Sequence, residues 1–493
     1  MSRLILGPFN RVEGDLEVEL EVADGRVLEA RVKAPMYRGF EVMLVGRDPI
    51  DALTIAPRIC GICSVSQSVA AAKALADASG VVMPPNGLYA TNLMLACENL
   101  ADHLTHFYVF FMPDFTREVY APRRWFGETQ RRFAALVGGA GGGLHNRAAL
   151  AARARWLELM GALGGKWPHS GALLPGGTSR AIESTERVRL LSRLREMRAF
   201  LEQTLYGAPL EEVAALASLA DLSHWQARVQ GSDLALFLDI AADLELAALG
   251  PGPGRYLSYG AYAQVDGSHA LGRGVWDAQL QQRLALDASR ISEDTRHSWL
   301  AEGEAGQPLH PMQGLTQPDI DKPGAYSWNK APRLAGQVVE TGAIARQLVD
   351  GQALIRALAL AHGGSVYTRV LARLLEMARI LPLMEQWLLA LQAHEPYHQV
   401  QALPAQGQGV GLSEAARGAL GHWLKIENGR IAHYQIVAPT SWNFSPRDAA
   451  GTPGALEAAL VGATIDSSDG RGQSVAVQHI VRSFDPCMVC TVH

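Results

Sequence analysis

The amino-terminal part of the chain alternates apolar and acidic residues with a period of two. The apolar positions are Leu16, Val18, Leu20 and Val22, and the acidic positions between them are Glu17, Glu19 and Glu21. Such alternation is typical of a strand with one buried face. Asp24-Gly25 has the composition of a hairpin turn, and residues 27–32 supply a returning strand. We therefore predict a small β-rich element within residues 1–50.

Most of the remaining chain, residues 51–493, carries a helical pattern. Residues 64–78 are rich in alanine and end near Gly80, which predicts a helix with a glycine stop. Further helical patterns cover 92–111, much of 140–300, and the stretch up to about 395 that follows a Gly/Pro-rich, loop-like segment at 301–333. The predicted fold class is mainly α, a long helix bundle with a small N-terminal β-sheet, in a single domain spanning 1–493.

The composition excludes several classes of protein. Hydrophobic residues make up 48% of the chain and the formal net charge is −5, so a large core is expected and a polyanion-binding surface is not. No uninterrupted apolar run reaches membrane-spanning length, and the first residues lack the features of a signal peptide. Five cysteines without a disulfide framework favour a reducing compartment, so we expect a cytoplasmic protein.

Four of the five cysteines form two Cys-x-x-Cys pairs at opposite ends of the chain, Cys60/Cys63 and Cys487/Cys490. This spacing lets two thiolates from one turn bind one metal. Four thiolates suit zinc, an iron–sulfur cluster or nickel. The fifth cysteine, Cys97, lies in an apolar run and is interpreted as a small buried side chain.

The distance between the two pairs along the chain argues for a functional centre. A structural zinc site usually closes its four ligands within a short local segment. Joining the two ends of a 493-residue chain costs loop-closure entropy without a structural gain that a local site would lack. A metal-stabilised interaction protein that uses the four cysteines for structural zinc is the alternative from another class.

The segments around these cysteines resemble the signature motifs of the large subunit of nickel–iron hydrogenases. The matching segments are Arg58-Ile-Cys-Gly-Ile-Cys63, Asp485-Pro-Cys-Met-Val-Cys-Thr-Val-His493 and Arg11-Val-Glu-Gly-Asp15. Weaker likenesses extend the resemblance over nearly the whole chain. The resemblance implies an enzyme that splits H₂ heterolytically into protons and electrons.

The resemblance also implies the cofactor and a partner. Nickel is expected on all four cysteines, and Cys63 and Cys490 are expected to bridge it to an iron that carries one carbonyl and two cyanides. No cysteine remains to hold an iron–sulfur cluster for the electrons. A small, cluster-bearing hydrogenase subunit must therefore accompany this chain.

Several polar residues gain a role only through the resemblance. The first proton acceptor is expected to be either the thiolate of Cys487 or Cys490, which would pass the proton to Glu13, or Arg417 acting with Asp102 and Asp485. Arg417 is expected to lie over the metals and to pair with Asp485. Thr440 and Arg417 are expected to bond the diatomic ligands of the iron. Without the resemblance, a surface acid, a polar helix face and a surface salt bridge are the simpler interpretations.

A magnesium site is a further implication of the resemblance. Its protein ligands are expected to be Glu41, His493 and the backbone carbonyl of Ile436. Hard oxygen ligands in an octahedral arrangement suit Mg²⁺.

Three departures from the usual motifs bear on the subclass. Gln67 stands where a histidine is usual, as a neighbour of the metal ligands, and Ile62 and Phe110 replace smaller residues. The two larger side chains would narrow the gas path, admitting H₂ while slowing O₂. These features resemble the hydrogen-sensing, regulatory subclass, which turns over slowly, tolerates O₂ and signals to a histidine kinase. A respiratory uptake hydrogenase is the alternative.

Overall fold

Helices and small sheets alternate along the chain. The computed structural model describes residues 2–137, 140–303, 306–465 and 474–491. Helices account for 46% of the chain and strands for 20%. This content corrects the prediction of a mainly α fold, because the described residues of 51–493 contain five further sheets in addition to the N-terminal one. The predicted N-terminal hairpin is confirmed.

Within the described residues the strands form six antiparallel sheets, in the orders β1-β2-β3, β4-β5, β6-β7, β10-β9-β8, β11-β12 and β13-β14-β15. Their bounds are β1 Ser2–Leu6, β2 Glu17–Ala23, β3 Arg26–Lys33, β4 Leu136–Val137, β5 Ala140–Gly141, β6 Leu173–Leu174, β7 Gly177–Thr178, β8 Arg255–Ala263, β9 His269–Asp277, β10 Gln282–Leu284, β11 Ile291–Asp294, β12 Ala331–Leu334, β13 Gly407–Ala415, β14 Gly418–Glu427 and β15 Arg430–Val437.

The later strands escaped prediction because they are buried on both faces. In β8 seven consecutive residues are buried, and in β14 the first seven are buried. A strand covered on both sides has no polar alternation, so its sequence cannot be distinguished by periodicity from a buried helix.

The helices surround these sheets. Their bounds are α1 Phe40–Leu44, α2 Ala52–Ile55, α3 Ser64–Ser79, α4 Pro85–Thr105, α5 Phe126–Phe133, α6 Leu144–Trp156, α7 Glu158–Gly164, α8 Ser184–Phe200, α9 Leu210–Ala214, α10 Leu219–Arg228, α11 Asp233–Asp243, α12 Ala343–Asp350, α13 Ala353–His362, α14 Val366–Ala390, α15 Pro439–Asn443, α16 Ala455–Leu460 and α17 Val475–Ser483. Helix α4 continues as a π-helical segment, His106–Phe111. Within the described part of the chain, no helix is both long and apolar enough to cross a membrane.

Two glycines of β13 allow the sheet to lie directly on α3. A Cβ at Gly409 would come within 2.0 Å of the carbonyl oxygen of Ala74, and one at Gly411 within 1.9 Å of that of Ala70. Any side chain at these two positions would force the strand away from the helix. This contact matters for the site, since α3 follows the first cysteine pair and β13 leads to Arg417.

Candidate metal centre

The four paired cysteines meet at one buried point, as the sequence predicted. Their sulfurs lie 3.4 Å apart for Cys60 and Cys487, 3.2 Å for Cys63 and Cys490, and 3.1 Å for Cys487 and Cys490. All four ligand atoms lie within 4.8 Å of one another. Among the described His, Cys, Asp and Glu residues, this is the one group of three or more that could hold a metal ion.

The donor set fits a soft metal. Four buried sulfurs around one point offer no hard oxygen ligand, which excludes Mg²⁺ and Ca²⁺ here and favours nickel, zinc or an iron-containing centre. Hydrogen bonding from Cys487 lowers the pKa of Cys60, whereas burial raises the pKa of Cys487. Packed sulfurs therefore cannot all ionise unless a cation compensates them, and a bound metal supplies that charge.

The first cysteine pair is positioned by the start of α3. Cys63 is the residue that precedes the helix, and the first free N–H groups, those of Val65 and Ser66, donate to the carboxylate of Glu98 at 2.9 Å each. The indole N–H of Trp167 donates to the same carboxylate at 3.0 Å. The positive end of α3 thus bonds an acid of α4, a partner that no sequence motif indicated.

The second pair is positioned by residues that are distant from it in the chain. Glu13 and Cys487 form a parallel bridge in which the N–H of Glu13 donates to Pro486 at 3.4 Å and the N–H of Met488 donates to Glu13 at 2.8 Å. The N–H of Cys487 also donates to the Thr440 hydroxyl at 3.1 Å. Because Glu13 pairs through its backbone, its carboxyl group remains available for chemistry.

Arg38 joins the two cysteine segments directly. Its Nη2 donates to the carbonyl of Ile59, the residue before Cys60. The same nitrogen donates to the carbonyl of Val489, the residue before Cys490, at 2.6 Å. Sequence reasoning passed over Arg38. The one available signal was its place three residues before Glu41 in a matching segment.

Arg417 lies between two acids, as the sequence predicted for one of them. Its Nη2 is 3.1 Å from Oδ1 of Asp485 and 3.1 Å from Oδ1 of Asp102, and its Nε donates to the Asp485 carbonyl at 3.0 Å. Burial raises the pKa of Asp102 to about 8. Burial also opposes ionisation of Asp485, but Arg417, Arg373 and the neighbouring histidines together outweigh burial and lower the pKa of that carboxyl. The two acids therefore hold different protonation states at neutral pH.

Glu13 is half-buried near the cysteines. Burial, followed by the neighbouring Cys60, raises the pKa of its carboxyl group. A carboxyl group with a raised pKa beside thiols is suited to accept and pass on a proton.

The residues predicted to bind magnesium are only partly described. Glu41 is buried, and its Oε1 accepts from the N–H of Ile436 at 2.7 Å, while its Oε2 lies 3.3 Å from Nζ of Lys330. Gln435 donates to the same oxygen at 3.2 Å. His493 lies outside the described residues. The magnesium site thus stays a prediction.

The residues that suggested the subclass have different surroundings. Gln67 is buried, and its Oε1 accepts from Nε2 of His422 at 2.8 Å, whose Nδ1 in turn bonds the hydroxyl of Tyr434 at 2.8 Å. Ile62 packs against the apolar cluster that contains the cysteines. Phe110 lies in the π-helical segment and its carbonyl accepts from Arg11. The gas-path role of Ile62 and Phe110 stays a prediction, as does hydrogen bonding by Thr440 or Arg417 to iron ligands.

Known proteins are similar to this chain over its whole length. The family described as "Nickel-dependent hydrogenase" matches residues 38–123 and 144–493. The chain is 30% identical to the periplasmic [NiFeSe] hydrogenase large subunit of Desulfomicrobium baculatum and 28% identical to the uptake hydrogenase large subunit of Rhodobacter capsulatus, covering 100% of this chain and 95% of each relative. The solved Ni-Fe-Se hydrogenase of D. vulgaris Hildenborough superposes with a TM-score of 0.83 at 31% identity, covering 100% of both chains.

Proposed function

Because the chain belongs to the nickel-dependent hydrogenase family and is the large subunit of a nickel–iron hydrogenase, we propose that it oxidises H₂ as an uptake enzyme. The observation that carries this proposal is the meeting of four buried sulfurs beside the Arg417–Asp102–Asp485 group. Several similar proteins are named uptake hydrogenases, and none of the relatives quoted above is named a sensor. These names favour the uptake enzyme, the alternative in the sequence analysis, over the hydrogen sensor.

The residues present fit the centre that the family name implies. Nickel would be held by Cys60, Cys63, Cys487 and Cys490, and iron by Cys63 and Cys490. When bound, the centre supplies a redox-active site at which H₂ is split into protons and electrons. The carbonyl and cyanide ligands of the iron belong to this proposal and are tested below.

The chain itself supplies two places for the released proton. One is the carboxyl of Glu13, which lies beside Cys60 and whose pKa is raised by burial, so that it holds a proton more readily than an exposed glutamate. The other is the group in which Arg417 holds Asp485 ionised beside Asp102, whose carboxyl is protonated at neutral pH because its pKa is about 8. Acids with separated pKa values that share one cation are a general arrangement for acid–base work.

Electrons must leave through a partner, and a small iron–sulfur subunit is the partner that hydrogenase large subunits pair with. We place its contact on the surface over α1 and the following turn. Phe40 and Leu44 point into the cluster that contains the cysteines, while outward side chains on the same short segment are large, apolar and 46–50% exposed. These exposed residues are Val42, Met43, Val45 and Ile50. An apolar surface one helix away from the metal ligands suits an electron-accepting partner.

Metal analysis and infrared spectroscopy test the main proposal. The purified large–small complex should contain nickel and iron in equal amounts and show infrared bands of one carbonyl and two cyanides. Reduction of a dye under H₂ should be rapid. Zinc in place of nickel, with no such bands, would instead support the metal-stabilised interaction protein.

A second candidate function, the H₂ sensor that signals to a histidine kinase, rests on Gln67. This residue stands where a histidine is usual and bonds His422. Slow H₂ oxidation that survives air, together with complex formation between the protein and a histidine kinase, would favour it. Rapid turnover and no effect of a Gln67→His exchange on air tolerance would rule it out.

Magnesium at Glu41, His493 and the carbonyl of Ile436 completes the proposal. A buried carboxylate close to the C-terminal cysteines provides one hard oxygen ligand. One magnesium per protein by elemental analysis, lost in a Glu41→Gln variant, is the expected result. Unchanged magnesium content in that variant would remove Glu41 from the site.

A further inference from the structure

The turn that carries Arg417 is very short. Strands β13 and β14 pair as far as Ala415 and Gly418, so that Ala416 and Arg417 alone connect them. Nothing within a two-residue connection fixes where a long side chain such as that of Arg417 points. Its direction must therefore depend on what packs against the turn from outside the hairpin.

The outside support is the fully buried guanidinium of Arg346 on α12. Its Nη1 donates to the carbonyl of Ala415 at 2.8 Å, and its Nη2 donates to the carbonyl of Ala416 at 3.0 Å. These are the two residues that immediately precede Arg417.

The remaining N–H groups of Arg346 bond two buried acids. Nε and Nη2 donate to the two oxygens of Glu376 at 2.9 and 2.8 Å, and Nη1 donates to Glu414 at 2.9 Å. A guanidinium has five N–H donors, and all five have acceptors here. Arg346 therefore has a single well-defined position, which a shorter or more flexible cation could not reproduce.

The start of α12 packs directly against the same turn. A Cβ added to Gly418 would come within 2.4 Å of the backbone nitrogen of Gly342, the residue that precedes the helix. The N–H of Arg346 donates to the carbonyl of Gly342 at 3.0 Å. Helix α12 and the guanidinium of Arg346 thus support the turn together.

Glu376 also contacts α4, the helix that carries Asp102. Its Oε1 lies 3.2 Å from Nε2 of His103, the residue next to Asp102 on α4. One carboxylate therefore fixes both the arginine that supports Arg417 and the helix segment that carries Asp102. Burial opposes its ionisation, but the charge of Arg346 and the interactions with His103 together outweigh burial and lower the pKa of Glu376 to about 2.

We propose that the Arg346–Glu376 pair is a positioning device that sets the place of Arg417 relative to Asp102, with Arg346 as its central residue. The pair lies behind the turn and bonds backbone, so it acts through Arg417. The proposal rests on the proposed function only in taking Arg417 to be part of the proton-handling group.

An Arg346→Lys exchange in the complete large–small complex tests this. An ammonium group offers three donors from one atom and cannot span two carbonyls and two carboxylates. Nickel and iron contents should equal those of the wild type, the KM for H₂ should change less than about threefold, and kcat should fall about 100-fold, the order expected when a reacting group moves by about 1 Å. A crystal structure of the variant should show Nη2 of Arg417 displaced from Asp102.

Arg132→Lys is the matched control. Arg132 is also a buried arginine that donates to a backbone carbonyl, that of Gly231, and to a buried acid, Asp233, but it contacts none of the residues around Arg417. Its kcat should stay within about twofold of the wild type even if its stability falls as much as that of Arg346→Lys. If Arg346→Lys does not accumulate, Glu376→Gln gives the same two readouts, with an expected loss of about tenfold for one weakened charged hydrogen bond.

Two results would overturn the proposal. One is a metal-loaded Arg346→Lys protein with unchanged kcat and Arg417 still 3.1 Å from Asp102. The other is an equal loss of kcat in Arg132→Lys, which would reduce Arg346 to general stability. Failure of the proposed function gives a different result, namely a wild-type complex without H₂ oxidation, and the crystal structure of the variant then still decides whether Arg346 positions Arg417.

Discussion

The two cysteine pairs have the same spacing but are held in place in different ways. Cys60 and Cys63 lie at the start of a 16-residue helix whose first N–H groups are bound by Glu98. Cys487 and Cys490 lie in an irregular segment with only a short 3₁₀ turn, Met488–Cys490. The first pair is therefore positioned by a regular element, and the second by contacts with residues far away in the chain.

The distant supports of the second pair are few and specific. They are the backbone of Glu13, the guanidinium of Arg38 and the hydroxyl of Thr440. Each connects the C-terminal segment to another part of the fold, so the last residues can reach their positions only after that fold has formed. A metal site divided in this way couples metal binding to the whole tertiary structure.

The largest expected effect comes from removing a ligand of the second pair. Cys490→Ser should abolish nickel binding and H₂ oxidation, since a hard hydroxyl replaces a soft thiolate. Metal content measured by mass spectrometry checks this. Cys97→Ser is the control, because Cys97 is buried away from the centre and its sulfur contacts the carbonyl of Trp156, so the nickel content should be unchanged. Full nickel loading in Cys490→Ser would contradict four-cysteine binding.

Arg38→Met should produce the next largest effect, because it removes a side chain that bonds both cysteine segments. Support of this kind is worth about 10–100-fold in metal affinity. Competition with a nickel chelator measures it. Arg47→Met, at an exposed position of the same region, should leave the affinity as in the wild type. Equal affinities for both variants would show that the two segments need no clamp.

Glu98→Ala should affect the first pair through stability. The N–H groups of Val65 and Ser66 would lose their acceptor, and each buried unpaired group costs about 1–3 kcal/mol. We expect the free energy of unfolding to fall by about 2–4 kcal/mol in denaturant titrations. A loss below about 0.5 kcal/mol would mean that α3 starts equally well without this acid.

The same residue predicts a pH dependence. Burial raises the pKa of Glu98 from 4.5 to about 7, so the folded protein binds more protons than the unfolded chain between these values. Its contribution to the free energy of unfolding therefore falls as the pH rises from 4.5 to 7, by up to about 1.4 kcal/mol per pH unit. Glu98→Ala should remove this slope, whereas Glu118→Ala, at an exposed acid, should retain it.

The smallest effect is expected for Thr440→Val. The N–H of Cys487 loses its acceptor, which should cost about 1–2 kcal/mol of unfolding free energy and little of the nickel content. Thr440→Ser should restore the wild-type value, because it retains the hydroxyl. If the valine variant is as stable as the serine variant, the Thr440 hydroxyl does not stabilise the second pair, and Arg38 and the Glu13 bridge alone hold it in place.

Prediction from sequence succeeded for features that depend on the type and spacing of residues. It failed for features that depend on which residues are adjacent in space. The N-terminal hairpin shows alternating apolar and acidic residues, and the paired cysteines indicate a soft metal, so both features were predicted. Strands β8 and β14 are buried on both faces and carry no alternation. Arg38, Glu98 and Arg346 were missed because each gains its role from partners tens to hundreds of residues away.

The sequence by itself determined which atoms can bind a metal here, since a thiolate is soft wherever it stands. It also determined the spacing that lets each pair act together. Only the tertiary structure decided that the two ends meet, that Glu98 bonds the first N–H groups of α3, and that Arg346 supports the turn of Arg417. The physical reason is that hydrogen bonding and burial depend on which groups are adjacent in space, and adjacency across some 400 residues exists only in the folded chain.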